Sequence, residues 1–143
     1  MKSRVLVFCL GLIVSSIIAF TDPNVVHGLP GRAYITNGNS NTVSVIDTSS
    51  DTVIATIPVG TNPFGVAVNE LKKRVYVSDD YDNTISVIDT DSYTVVATIP
   101  IDNIPTGLAT NSEGTRVYAA YNRINGTSLA VIDTSNNTDF SGL

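Results

Sequence analysis

From about residue 32 onward, the chain consists of short runs rich in β-branched and aromatic residues. In its middle part, four such runs cover residues 66–68, 74–78, 84–88 and 94–99. Clusters of Asn, Asp, Gly and Pro separate them, which is the composition that turns between strands prefer. No run is long enough for a helix or has the 3.6-residue period of one. The pattern therefore predicts an all-β chain of short strands.

The runs recur with a period of 42 residues. Tyr34, Tyr76 and Tyr118 are equally spaced, and residues 34–69 align without a gap on residues 76–111 with 19 identities in 36 positions. A third copy arrives two residues late, which places an insertion between Tyr118 and the third Val-Ile-Asp-Thr segment. Units of about 42 residues with four short strands each predict β-propeller blades, and they exclude a solenoid of helical repeats.

The repeated motifs resemble those of a known family, the YVTN-type β-propeller repeat. They are Tyr-Ile-Thr-Asn at 34–37, Val-Tyr-Val-Ser at 75–78, Asn-Thr-x-Ser-Val-Ile-Asp-Thr at 41–48 and 83–90, Ala-Thr-Ile-Pro at 55–58 and 97–100, and Pro-x-Gly at 63–65 and 105–107. The resemblance covers residues 32 to about 134. It implies blades of four antiparallel strands arranged radially, in proteins that are commonly exported and often found at microbial cell surfaces. It implies no particular activity.

The repeat region divides into units of about 32–63, 64–105 and 106–143. The pattern begins with the second strand of a blade and stops near Thr134 with the third, so we expect an incomplete arc of about 2.5 to 3 blades. Closed propellers use about four to eight blades. The chain is then either a module that self-associates through its open blade edges or a truncated fragment of a larger propeller.

Residues 1–20 have the layout of an export signal, and residues 21–31 form a connector. Two positive charges in Met1–Arg4 precede the apolar stretch Val5–Phe20, as in secretory signal peptides, whose cleavage would fall between about residues 17 and 24. An uncleaved N-terminal anchor and a buried core helix are the alternatives. Export predicts an extracellular or cell-surface location.

The composition limits which catalytic and metal sites we expect in the repeats. The chain has one cysteine and one histidine, Cys9 and His27, and both precede the repeats. A Ser or Cys nucleophile usually needs a base, and Cys/His zinc sites need several ligands, so neither is expected in the repeats. We therefore predict no catalytic residue, no metal and no cofactor. A propeller enzyme or metal-binding protein is the alternative, because propellers also carry enzyme sites on their axis.

Charge excludes a class of partner. The whole chain has a formal net charge of −5, and residues 21–143 retain six Lys and Arg against all 13 Asp and Glu. Nucleic-acid binding requires clustered basic residues, and only Lys72, Lys73 and Arg74 cluster. We interpret that cluster as a solvated turn. Nucleic acid is therefore not expected as a partner, and neither is a membrane span beyond an N-terminal anchor.

Two sets of carboxylates are candidate ligands. Asp47, Asp89 and Asp133 occupy the same position in each unit and are followed by Thr and small polar residues, which predicts that each closes a hairpin by accepting backbone hydrogen bonds. A shared cation is the alternative. The stretch Asp79–Asn83 holds three carboxylates and Tyr81. A solvated hairpin loop is the prediction there, and a calcium site is the alternative.

Two further patterns concern the surface. Asn125 and Asn136 begin Asn-x-Thr triplets that fit N-glycosylation, although Asn-rich turns also produce such triplets by chance. The three recurrent tyrosines are expected to pack between adjacent blades.

The function predicted from these observations is a non-catalytic, exported structural or interaction platform. The repeated strands would form a rigid frame for a protein or cell-surface partner. The loops within residues 34–43, 76–85 and 118–129 differ most between units and would supply the specificity.

Overall fold

The computed structural model describes residues 18–20, 31–123 and 126–139. These residues form twelve strands: β1 (Ile18–Phe20), β2 (Arg32–Asn37), β3 (Thr42–Asp47), β4 (Thr52–Pro58), β5 (Pro63–Asn69), β6 (Arg74–Asp79), β7 (Thr84–Asp89), β8 (Thr94–Pro100), β9 (Pro105–Thr110), β10 (Arg116–Arg123), β11 (Gly126–Asp133) and β12 (Thr138–Asp139).

The strands form three antiparallel sheets of four, each in chain order. We call them blade 1 (β1–β4), blade 2 (β5–β8) and blade 3 (β9–β12). Between the strands lie two single 3-10 turns, Gly38–Ser40 and Glu70–Lys72. The described part of the chain contains no α-helix, as the sequence pattern predicted.

The repeat in sequence is also a repeat in strand register. Each recurrent tyrosine lies opposite a valine of the next strand, and the pairs are Tyr34 with Val45, Tyr76 with Val87 and Tyr118 with Val131. The same register shift follows Val45 and Val87 where the third and fourth strands pair. The four predicted strands of the middle unit match β5–β8 to within a few residues at the ends.

The two ends of the arc differ from the prediction. Blade 1 has a first strand, β1, with Ala19 opposite Tyr34, and blade 3 has a short fourth strand, β12, with Thr138 opposite Asp133. Hydrophobic patterning could not show either strand, because β1 lies inside a longer apolar stretch and the Thr-Asp pair of β12 has no apolar residue. The arc therefore contains three four-stranded blades.

The strand β1 lies within the stretch predicted to be an export signal. The rest of that stretch, residues 1–17, and most of the predicted connector lie outside the described residues. The division into leader, connector and repeats stays a prediction. Within the part of the chain that the structure describes, no helix has the length and apolarity needed to cross a membrane.

The core lies between the blades. One cluster joins blades 1 and 2 and includes Tyr34, Val45 and Val75; the other joins blades 2 and 3 and includes Tyr76 and Val87. Burial of each such side chain contributes roughly 1.5–3 kcal/mol. A blade is therefore stabilised chiefly by the blade that covers it.

Candidate functional site

The loops that vary between units lie together on one side of the arc, at the same end of the blade strands. Residues 38–41 and 80–83 join the second and third strands of blades 1 and 2, and residues 59–62 and 101–104 lead from one blade to the next. We call these four segments the loop end. Antiparallel pairing places all of them on the same side, since Thr42 lies opposite Pro58 and Pro63 lies opposite Asp79.

Hydrogen bonds connect the segments into a continuous row. The backbone N–H of Asn62 donates to Asn41 Oδ1 over 3.0 Å, and the N–H of Thr61 donates to Asp82 Oδ2 over 2.6 Å. The N–H of Asp80 returns a bond to the Asn62 carbonyl, and that of Ile101 donates to the Asn83 carbonyl. Because each segment is held by its neighbour, the loop end presents a fixed surface.

That surface is acidic and carries exposed apolar groups. Its four segments contain Asp80, Asp82 and Asp102 and have neither Lys nor Arg. Tyr81 is 75% exposed and Ile104 is 40% exposed. Exposed aromatic and aliphatic side chains beside charged ones are typical of protein-binding surfaces.

The prediction of a solvated loop at residues 79–83 is right for Tyr81 and Asp82 but wrong for Asp79. Asp79 is fully buried, because it is the last residue of β6 and packs against Gly60 at the joint between blades 1 and 2. Its Oδ2 accepts hydrogen bonds from the hydroxyls of Thr84 at 3.1 Å and Ser86 at 2.7 Å. This carboxylate is part of the interface between blades 1 and 2, which we call a blade joint.

Burial shapes the titration of the two adjacent aspartates. It raises the pKa of Asp79, against the lowering effect of the Ser86 and Thr84 hydrogen bonds. Burial, and then the nearby charge of Asp79, raise the pKa of Asp80 to about 6. One oxygen on each residue, Oδ1, is buried without a hydrogen-bond partner. The folded protein thus holds these carboxylates less favourably than water does.

Replacing Asp80 by Asn is expected to stabilise the protein near neutral pH. Since its pKa is about 6 in the fold against an ordinary value of 3.8, the folded chain binds more protons than the unfolded chain between these values. Stability therefore falls as the pH rises through that window. After allowance for solvent screening of this partly exposed group, we expect a gain of about 1 kcal/mol above pH 7.

Urea unfolding across the same pH range measures this gain. The difference between the Asp80→Asn variant and the wild type should be near zero at about pH 4 and largest above about pH 6. The variant Asp82→Asn, which removes a charge from the same loop at an exposed site, serves as the control. A gain that is equal at every pH would contradict the assignment to Asp80.

The carboxylates of residues 79–83 are not grouped as metal ligands in the described part of the chain. Within residues 31–123 and 126–139, no three His, Cys, Asp or Glu side chains are arranged to hold a metal ion. The buried Asp79 carboxylate is already engaged by two hydroxyls. The calcium hypothesis for residues 79–83 gains no support from this arrangement.

The turn aspartates have the role that the sequence predicted. The carboxylates of Asp47, Asp89 and Asp133 each accept the backbone N–H two residues further on, at 2.8, 2.9 and 2.8 Å. Hydrogen bonds within the turns lower the pKa of all three carboxyl groups. The largest contribution comes from the Ser49 side chain at Asp47, from the Ser135 side chain at Asp133 and from the Ser92 backbone at Asp89. Each carboxylate is thus engaged by its own hairpin.

The basic cluster lies near these turns, away from the loop end. Lys72 and Lys73 are exposed, and Lys73 pairs with Asp91 at 2.8 Å. Arg74 pairs with Asp89, and its equivalent Arg116 pairs with Asp133. The interpretation as a solvated turn is confirmed for Lys72 and Lys73. Arg74 instead begins β6, where it ties this second strand of the blade to the turn aspartate.

The recurrent tyrosines do not all have the predicted environment. Tyr34 and Tyr76 are buried between blades, and burial raises the pKa of Tyr34 to about 12 and also raises that of Tyr76. Tyr118 is 37% exposed, because the described chain has no blade after blade 3. Sequence reasoning predicted an open end but did not identify this face, which the repeat position of Tyr118 could have indicated.

An open groove of about 520 Å³ lies beside the loop end, where the last strand of blade 1 meets blade 2. Its walls include Pro58, Gly60, Asp82, Ser86 and Val95. The lining contains one carboxylate and, beside it, only serine and threonine hydroxyls. These groups offer no acid–base pair, so the groove gives no indication of catalysis.

Of the remaining candidate residues, only Asn136 lies within the described part of the chain. Asn136 is exposed in the turn before β12, and its Oδ1 accepts hydrogen bonds from the Thr138 N–H at 3.1 Å and hydroxyl at 2.7 Å. Asn125, Cys9 and His27 lie outside the described residues. Glycosylation at Asn125 and Asn136 stays a prediction.

Comparison with known proteins supports the architecture. No protein-family model matches the chain. Over 52 residues, 36% of this chain, it is 50% identical to the PE-PGRS family protein PE_PGRS18 of Mycobacterium tuberculosis, of which the match covers 11%. So short a match assigns no family.

Solved structures match over most of the chain. They include hydrazine synthase of Kuenenia stuttgartiensis, with a TM-score of 0.72 and 22% identity over 76% of this chain and 31% of that one. Sqt1 of Saccharomyces cerevisiae gives 0.72 and 13%, over 90% and 34% of the two chains. The β-propeller domain of Myceliophteria thermophila Cps50 gives 0.60 and 10%, over 73% and 32%. The fold is that of a β-propeller.

These likenesses establish the fold alone, because identity is 22% or less. The chain spans about a third of the length of each matched structure. Its three blades therefore correspond to an arc of a propeller.

Proposed function

We propose that this chain is a non-catalytic β-propeller module, exported or displayed at the cell surface, that binds a protein or cell-surface partner through its loop end. The observation that carries the proposal is the division of each unit into a repeated frame and a variable loop. Strand positions recur in 42-residue register, whereas residues 38–41 and 80–83 differ at three of four positions. A rigid frame with divergent loops suits recognition.

The charge of the loop end suggests the chemistry of the partner. Three aspartates without a basic residue in the four segments favour a partner with a positively charged surface, which such a field attracts over about a Debye length. The side chains of Tyr81 and Ile104 would then supply apolar contact. Export rests on the sequence pattern of residues 1–20.

One replacement tests the loop end directly. Substituting residues 80–83 by the sequence of residues 38–41 removes two charges and Tyr81 but keeps the loop length and Asn at its last position, where both Asn41 and Asn83 have positive φ. We expect the variant to fold as the wild type does, by circular dichroism, and to bind cells of the source organism at least about tenfold more weakly, a loss of ~1.4 kcal/mol.

The control is Leu71→Ser, an exposed residue in the turn between β5 and β6, at the opposite end of the blades, which should leave binding unchanged. Fractionation of the same cells, followed by N-terminal sequencing, tests export. Recovery of the full-length chain from the cytosol would contradict export. Unchanged binding by the loop replacement would contradict the assignment to the loop end.

A further inference from the structure

One face of blade 3 repeats a surface that is buried everywhere else in the structure. In blades 1 and 2, the face toward the following blade carries Tyr34 and Val43, or Tyr76 and Ile85, and all four are at most 1% exposed. The equivalent residues of blade 3 are Tyr118 and Leu129, which are 37% and 40% exposed. Blade 3 therefore carries side chains suited to a fourth blade.

A glycine on this face indicates what should cover it. Gly65 of blade 2 lies against the backbone carbonyl of Thr106 in blade 3, so close that a Cβ would collide with it. Its equivalent, Gly107, has no atom within 4 Å of a Cβ position and no positive φ. Nothing in the described chain requires glycine there. The position is shaped for the close approach of another blade's backbone.

The opposite end of the arc carries the complementary face. The residues of blades 2 and 3 that contact the preceding blade include Val77 and Ile88, and Ala119 and Ile132, all fully buried. Their equivalents in blade 1 are Ile35 and Ile46, which are only partly buried. Blade 1 thus carries the same type of surface with which blade 2 covers blade 1 and blade 3 covers blade 2.

We propose that the open face of blade 3, formed by Gly107, Tyr118 and Leu129, binds blade 1 of a second copy of this chain. Two copies joined at both ends would supply six blades, which lies within the range of closed propellers. The surface is distinct from the loop end, so this assembly does not depend on the partner proposed above.

The joints within the chain specify one contact across this interface. The Tyr76 hydroxyl lies 3.5 Å from Oδ1 of Asn137 in blade 3. Asn137 has positive φ in the turn between the last two strands, as Tyr93 of blade 2 and Asp51 of blade 1 do. By this equivalence, the Tyr118 hydroxyl faces Asp51 of the second copy and donates to its carboxylate.

The joint between copies is expected to be weaker than the joints within a chain. The hydroxyls of Thr36 and Ser78 each donate to a carbonyl across their joint, to Phe64 at 3.0 Å and Thr106 at 2.8 Å. The equivalent residue in blade 3 is Ala120, which has no hydroxyl. Association should therefore be reversible and depend on concentration.

Sedimentation of the intact chain and of Gly107→Val tests the proposal. The wild type should reach twice the monomer mass as concentration rises. Gly107→Val should stay monomeric with an unchanged circular dichroism spectrum, because a Cβ there meets nothing within the chain. Thr98→Val, on an exposed site of β8 in blade 2, is the control and should associate like the wild type. A wild type that is monomeric at every concentration, or a Gly107→Val chain that associates normally, would overturn the proposal.

Cross-linking defines which faces meet. In a Cys9→Ser background, Tyr118→Cys mixed with Asp51→Cys should give a covalent dimer with a short bis-maleimide, and neither variant alone should. A dimer formed by Tyr118→Cys alone would show that two blade 3 faces meet, and it would overturn the pairing with blade 1. A face that binds only an added blade from another protein would also overturn it.

Discussion

The substitution Val87→Asp is expected to destroy the cooperative fold. Val87 is fully buried in the cluster between blades 2 and 3. The change removes roughly 1.5–3 kcal/mol of apolar burial and places an unpaired carboxyl in the core, so we expect a total loss of about 4–5 kcal/mol or more. That loss is most of the stability of a domain at the lower end of the usual range of about 5–15 kcal/mol.

The matched control is Val96→Asp, which makes the same chemical change one strand away. Val96 is 48% exposed on β8, so its carboxylate stays hydrated and the cost should be a few tenths of a kcal/mol. Urea denaturation followed by circular dichroism compares the two variants. Equal unfolding midpoints would show that Val87 does not lie in a blade joint.

The substitution Gly65→Ala is expected to cost about 3 kcal/mol, although it adds a single methyl group. The new Cβ would collide with the Thr106 carbonyl and crowd Ser78 Oγ at 2.9 Å. It would also disturb the hydrogen bond from the Gly65 N–H to Ser78 Oγ at 2.6 Å. Blades 2 and 3 would have to separate, because backbone cannot yield as a flexible side chain does.

The control is Gly107→Ala, the same change at the equivalent position of the next unit. Since no atom lies within 4 Å of its Cβ, it should leave stability unchanged or raise it by about 0.4–1 kcal/mol through the unfolded state. Unfolding is followed in dilute solution, where association between copies is suppressed. If the two alanine variants unfolded alike, the close contact between β5 and β9 would be contradicted.

Local sequence information predicts most of the strand arrangement. The 42-residue repeat and the turn residues located β5–β8 closely, because strand propensity, turn chemistry and tertiary position agree in these units. The aspartate turns could also be predicted, since their hydrogen bonds reach only two residues along the chain. Such contacts need no knowledge of the neighbouring blade.

Other features depend on which blade lies next to which. The burial of Asp79 could not be inferred from an acidic stretch, because it results from Gly60 in the preceding loop packing against it. The exposure of Tyr118 contrasts with two buried equivalents of the same residue type. In both examples the deciding neighbour is far away in sequence or missing from the described chain.

By itself, the sequence determined the all-β class, the blade period, the turn aspartates and the small number of blades, because each follows from a pattern within one unit. Only the tertiary structure decided that β1 and β12 complete their sheets, that Asp79 belongs to a joint and that Gly107 and Tyr118 remain open. A single unit specifies how its strands pair. Which of its faces is buried depends on whether another blade packs against it, and that contact joins residues about one whole repeat apart.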